Sequence, residues 1–184
     1  MPESTITKKA LSDSLKQLLK NHPLEKISVG EICEGCGLSR KSFYYHFKDK
    51  YDLVNWIFYY EFMPRAKARS YENGWDFFED LCTYFHENRA FYIKAFALQG
   101  QNSFTEFFGE FLQPIAFNYL KQSFAENESN EFYADFFTDA FRVAIIRWLK
   151  EDSDMSPAQI VGLFKFAAVG ASSSIIKKEP SPNT

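Results

Sequence analysis

The chain is poor in the features that mark several large protein classes. It has three cysteines in 184 residues, an odd and small number. That argues against a disulfide scaffold and fits a reducing compartment. It has no membrane-length apolar run: the stretch 160–176 is too short for a comfortable span and contains Lys165 and three serines. No cleavable leader pattern precedes the first amphipathic segment. G-x-S-x-G, Walker, H-E-x-x-H and Rossmann patterns are all missing. The three histidines (His22, His46, His86) are scattered, and Glu106 and Glu110 sit four apart as on a solvated helix face. Strand-like alternation, tandem repeats and low-complexity tracts are absent too. These absences weigh against an enzyme and point to a cytoplasmic, all-α protein with no cofactor or metal.

An excess of positive charge is also missing, since the whole chain carries −3. The balance is uneven, however. Residues 1–50 hold nine Lys/Arg and six Asp/Glu, whereas the remainder holds twelve and eighteen. Attraction to phosphate decays over about 10 Å, so the local surplus matters more than the total. Aromatics divide the same way: of 21 phenylalanines only Phe43 and Phe47 precede residue 51. A small basic segment (1–50) is therefore expected ahead of a phenylalanine-rich helical body (51–178). A helix near 49–63 joins the two, and a disordered tail spans 179–184.

Apolar residues at Ile6, Ala10, Leu11, Leu15, Leu18 and Leu19 follow helical spacing, and Asn21-His22-Pro23 stops that helix. Ser28 with Glu31 is a capping box opening a second helix. Gly37 suits the left-handed turn after it, Ser39 caps a third helix, and Asp49 caps a fourth. The second and third helices lie only about three residues apart, which is helix-turn-helix spacing. Further helices are expected near 74–87, 89–99, 103–125, 130–152 and 156–177, about nine in all. Ser103 and Ser156 would cap two of them. Pro64 predicts an end or kink in the fourth helix, and Pro114 a kink or break in the seventh. Glu126 to Asn130 reads as a polar linker. Cys33 and Cys36 form a C-x-x-C, but no second ligand pair accompanies it and no strand precedes it. Packing of a short helix is the simpler reading.

The stretch C-G-L-S-R-K-S-F-Y-Y-H-F-K-D-K-Y-D-L at 36–53 resembles the N-terminal domain of TetR-type transcriptional regulators. Gly37, Leu38, Ser39, Ser42, Tyr44, Phe47 and Lys50 carry the match, which extends over residues 5–55. Two departures stand out: Lys41 where the family often has glycine or another small residue, and no glycine ending the first helix. I-T-K-K-A-L, E-K-I-S-V, D-K-Y-D-L-V-N-W and G-Q-N-S-F are similar to a Gram-positive subgroup, some of whose members regulate dihydroxyacetone kinase genes.

The resemblance implies a homodimer on a near-palindromic double-stranded operator, with an effector acting at the C-terminal domain. The expected DNA-contacting residues are Thr7, Lys8, Ser28, Ser39, Arg40, Lys41, Ser42, Tyr44, Tyr45, His46 and Lys50. Arg40 and Lys41 can meet base edges, Lys41 alternatively a phosphate; Tyr44 suits a phosphate or a thymine methyl, and Tyr45, His46 and Lys50 suit phosphates. Phe78, Phe85, Phe96, Phe104, Phe108 and Phe111 would line an aromatic pocket for an apolar small molecule, or merely fill the core. The effector would otherwise be a partner protein. Phe141, Ile145, Trp148, Leu149, Phe164, Ala167, Ala168 and Ala171 are the expected dimer contacts. An enzyme built on the aromatic body, or an interaction module that has lost DNA binding, remain as alternatives. Repressor and activator are equally compatible.

Overall fold

The computed structural model describes residues 3–98, 102–123, 130–151 and 154–176. The expected tail at 179–184 lies outside the described residues, as does most of the 126–130 linker. Among the described residues there are nine α-helices, one short 3-10 helix and no strand: α1 (Glu3–Asn21), the 3-10 turn Leu24–Lys26, α2 (Val29–Gly35), α3 (Arg40–His46), α4 (Lys50–Lys67), α5 (Gly74–Glu87), α6 (Arg89–Ala95), α7 (Phe104–Ser123), α8 (Asn130–Lys150) and α9 (Pro157–Ile176). The all-α expectation holds.

The chain divides into two compact units, the first comprising residues 1–70 and 87–107, the second 71–86 and 108–184. The division therefore does not fall at residue 50. Helix α4 and the segment carrying α6 cluster with the helix-turn-helix, because α1 packs on α2, α3, α4 and α6 alike. Leu11, Leu15, Ile32, Phe43, Leu53, Ile57, Phe58 and Phe62 are fully buried in this first core. Lys16 pairs with Glu61 and Arg65 with Glu87 at its surface. In the second unit Phe78, Leu81, Phe85, Phe108, Leu112, Phe141, Ile145 and Leu149 form the core.

Local chemistry explains the helix ends. The Ser28 hydroxyl accepts from Glu31 N–H at 3.2 Å, and Glu31 returns the contact to Ser28 N–H at 2.7 Å. The Glu31 carboxyl is held below its ordinary range, first by the Ser28 hydroxyl and then by the Ser28 amide. Ser39 accepts from Ser42 N–H at 3.1 Å, and Asp49 accepts from Tyr51 and Asp52 N–H at 2.8 and 2.9 Å. Gly37 adopts φ +67°, the left-handed conformation that lets α2 stop and turn into α3. Ser103 and Ser156 accept from Glu106 and Gln159 N–H, as expected of caps.

The two internal prolines lie within continuous helices. Helix α4 passes Pro64 and ends at Lys67, with Ala68 N–H donating to the Pro64 carbonyl at 3.1 Å. Helix α7 runs through Pro114 to Ser123. Both prolines are solvent-exposed. Each deletes one backbone donor, which the flanking turns of a long packed helix can absorb. Helix α6 is shorter than expected and stops at Ala95, with a turn through Phe96 and Ala97.

Candidate nucleic-acid interface

Helices α2 and α3, joined at Gly37, place the first turn of α3 at the surface. Phe43 and Phe47 sit at spacing four and are buried, at 0% and 3% exposure. They turn one side of α3 to the core, leaving the other to solvent. Arg40, Lys41, Tyr44 and Tyr45 are exposed, Tyr45 at 83% and Tyr44 at 58%. These residues form one outward face of mixed cationic and aromatic character. Lys48, just past the helix, is a further exposed cation that its sequence position did not single out. Its own charge, next to a helix end already read as DNA-facing, was the available signal.

The remaining expected contacts have other tasks in the free protein. The Ser28 hydroxyl is spent on Glu31, accepting from its amide and donating to its carboxylate at 2.7 Å. That cap explains why a serine is needed there without any DNA. Ser39 keeps its hydroxyl proton, since as a cap it only accepts. Lys50 donates to the carbonyls of Glu25 and Ile27 at 3.0 and 2.7 Å, clamping the connection between α1 and α2. Burial pushes this ammonium below its ordinary range, against the pull of Glu25 and Glu31. One of its three N–H groups is left for a phosphate.

Lys8 stands 5.6 Å from the Phe47 ring centre and 5.9 Å from that of Trp56, a cation held over aromatic faces. Thr7 and Ser42 are half-buried. His46, half-buried beside Tyr45 at 4.8 Å between ring centres, is held below the ordinary histidine value of 6.5 by burial and then by the Lys8 charge. It is therefore neutral near neutral pH, and a bound phosphate would favour its cationic form.

The C-x-x-C belongs to the packing. Burial raises both thiols, and Cys36 Sγ donates to the Ile32 carbonyl at 3.3 Å. Both are free cysteines. Among the described residues no group of three or more His, Cys, Asp or Glu could hold a metal.

In the body, the phenylalanines expected to line a pocket pack against one another. Phe96 and Phe104 lie 4.8 Å apart with Tyr92 in the first unit. Phe85 meets Phe108 at 5.1 Å, Phe108 meets Phe111, and Phe78 meets Phe141 at 4.7 Å in the second.

Most of the expected dimer contacts face inward within the single chain. Phe141, Ile145, Trp148, Leu149 and Ala168 are buried inside the unit, and Phe164 is half-buried against Phe141 at 4.7 Å. Ala167 is exposed; Ala171 lies outside the described side chains. The exposed apolar residues are instead Phe132, Phe136 and Val143 on α8 and Leu163, Phe166 and Val169 on α9. Helix α8 is apolar on two opposite faces, and the periodic stripe read from the sequence is the inner one.

Comparison with known proteins agrees with this geometry. The model for bacterial regulatory proteins of the tetR family matches residues 12–57, which cover the helix-turn-helix. The model for a transcriptional regulator C-terminal region matches residues 72–168, more than half the chain. The chain belongs to the TetR family. Its two matched segments are those of a DNA-binding transcriptional regulator. Among curated relatives, the HTH-type dhaKLM operon transcriptional activator DhaS of Lactococcus lactis subsp. lactis (strain IL1403) is 31% identical over 109 residues, 59% of this chain and 57% of that protein. The uncharacterized HTH-type transcriptional regulator YxbF of Bacillus subtilis (strain 168) is 24% identical over 175 residues, 87% of this chain and 43% of that protein. The chain thus spans about half the length of the curated relatives it matches. A solved structure, the dihydroxyacetone kinase operon activator DhaS, superposes with a TM-score of 0.59 at 24% identity, covering 96% of this chain and 99% of that one. That likeness shows a shared fold. Among the described residues no helix is long and apolar enough to cross a membrane.

Proposed function

We propose that this TetR-family chain is a non-enzymatic regulator in the bacterial cytoplasm that binds a near-palindromic operator as a homodimer. The observation that carries the DNA half is the outward face of α3, with Arg40 and Lys41 in its first turn above a core-anchored Phe43. Arginine and lysine in that place can donate to the O6 and N7 of guanine in the major groove, while Tyr44, Tyr45 and Lys48 suit phosphates.

The homodimer is supported by the outer stripe of α8 and α9. Phe166 is 81% exposed and Phe132 66%, on helices whose opposite faces are already satisfied. A second copy presenting the same stripe would cover both in a four-helix contact. Two reader helices must stand about 34–36 Å apart to enter successive major grooves. An effector that favours another separation changes operator affinity without touching α3. The tight ring contacts of the body favour a partner protein over a small polar ligand, which would find few polar anchors there.

Its likeness to the dihydroxyacetone kinase operon activator DhaS suggests the target: genes for a dihydroxyacetone kinase, with this protein as their activator. Sequencing of genomic fragments retained by the purified protein tests this. A fragment upstream of such kinase genes is the expected result; enrichment elsewhere removes the pathway, and no enrichment removes the operator reading.

A further inference from the structure

Gly30 is the second residue of α2, and its missing side chain has a neighbour. A methyl group built on its Cα would stand 2.5 Å from Nη2 of Arg40, 3.2 Å from Nε and 3.3 Å from Cζ. The Arg40 guanidinium therefore occupies the space that a side chain at position 30 would fill. It leaves the first turn of α3 and leans back across the first turn of α2. Glu31 and Glu34 line the same open notch.

We infer that Gly30 is a positioning residue for Arg40, setting the direction from which its guanidinium approaches DNA and hence which base pair it reads. The inference rests on the DNA-binding reading of α3. A bidentate contact to guanine demands a particular orientation of the planar guanidinium, and a mobile arginine loses affinity in being ordered. A notch that holds the group beforehand removes part of that cost and fixes its line of approach. Any Cβ at position 30 evicts the guanidinium but not the helix, because the colliding atoms are the far end of a flexible side chain. Alanine is also a better helix former than glycine.

The test is a double-mutant cycle on an operator selected by the wild-type protein, with wild type, Gly30→Ala, Arg40→Ala and the double variant. Gly30→Ala should keep the wild-type thermal midpoint or raise it. It should weaken operator binding roughly tenfold, about the value of one good base contact. It should also change preference at the base pair where Arg40→Ala relaxes it, and add no loss in the Arg40→Ala background. Arg40→Lys, which keeps the charge and removes the guanidinium, should likewise be insensitive to Gly30→Ala. Without DNA, the Arg40 Nε–H resonance should shift in Gly30→Ala. Unchanged affinity and base preference in Gly30→Ala would overturn the inference. A loss that persists undiminished in the Arg40→Ala background would also overturn it, making Gly30 itself the DNA contact. A wild-type protein that does not distinguish the operator from scrambled DNA would sink the DNA reading first. The Arg40 resonance shift would then still report the notch geometry by itself.

Discussion

The two units of this protein are held by different kinds of information. In the first, short-range polar contacts decide where each element begins. Ser28, Ser39 and Asp49 each close a helix start within three residues, and Gly37 turns the chain between two of them. Lys50 then ties the start of α4 to the carbonyls ahead of α2. In the second unit helix placement depends on aromatic packing between distant segments, such as Phe78 on Phe141 and Phe85 on Phe108. Its last two helices carry apolar residues on faces that the unit does not cover. One unit presents a precise polar surface on a locally specified frame. The other stores apolar surface that another chain can cover.

The sharpest way to break that contrast is at Phe43, the fully buried residue under the reader helix. Phe43→Ala should cost about 3–5 kcal/mol and abolish operator binding, as read by thermal unfolding and DNA titration. A stable, DNA-competent Phe43→Ala protein would show that α3 is not anchored as described.

The second test contrasts the two faces of α8 and α9. Phe136→Glu with Phe166→Glu should leave the subunit folded by circular dichroism but convert a dimer to monomer in sedimentation. Phe141→Ala, on the inner face, should instead destabilise the subunit by about 3–5 kcal/mol. A double variant that sediments as wild type would place the dimer contact elsewhere.

A smaller effect tests the capping chemistry. Ser28→Ala should lower stability by about 1 kcal/mol, with little change in the salt dependence of DNA binding, since its hydroxyl serves Glu31. A marked fall in that salt dependence would restore Ser28 as a phosphate contact.

The smallest expected effect is the pH response of His46. Its value in the folded protein lies below the ordinary 6.5. The unfolded chain therefore takes up the proton first as the solution is acidified. The stability this residue contributes is present above about pH 6.5 and is lost as pH falls through the lowered folded value. Protonation also adds a positive charge beside the reader face. Operator affinity should rise roughly a few-fold on acidification below pH 6.5, and His46→Gln should flatten that rise. An unaltered pH profile in the variant would remove His46 from the interface.

The same contrast explains what could be read in advance. The caps, the turn glycine and the core side of α3 depend on residues within a few positions of one another, so Ser28, Gly37, Ser39, Phe43 and Asp49 fell where the pattern put them. Packing partners are not local. Helix α8 reads as amphipathic through Phe141, Ile145 and Trp148, yet Phe132, Phe136 and Val143 make a second apolar stripe on it. No periodicity says which of two stripes faces inward. The task of Lys50 also depends on a contact more than twenty residues away, and the notch at Gly30 on a side chain ten residues on.

The central claim, that α3 reads DNA sequence, is tested most directly by fluorescence anisotropy. The wild-type protein and an Arg40→Ala, Lys41→Ala variant would be titrated onto DNA from upstream of the protein's own gene and onto scrambled DNA of equal length, across a salt series. The account predicts a preference on the order of a thousandfold that survives near-physiological salt and disappears in the variant. Equal, weak binding of both DNAs by the wild type, or a preference untouched in the variant, would contradict it.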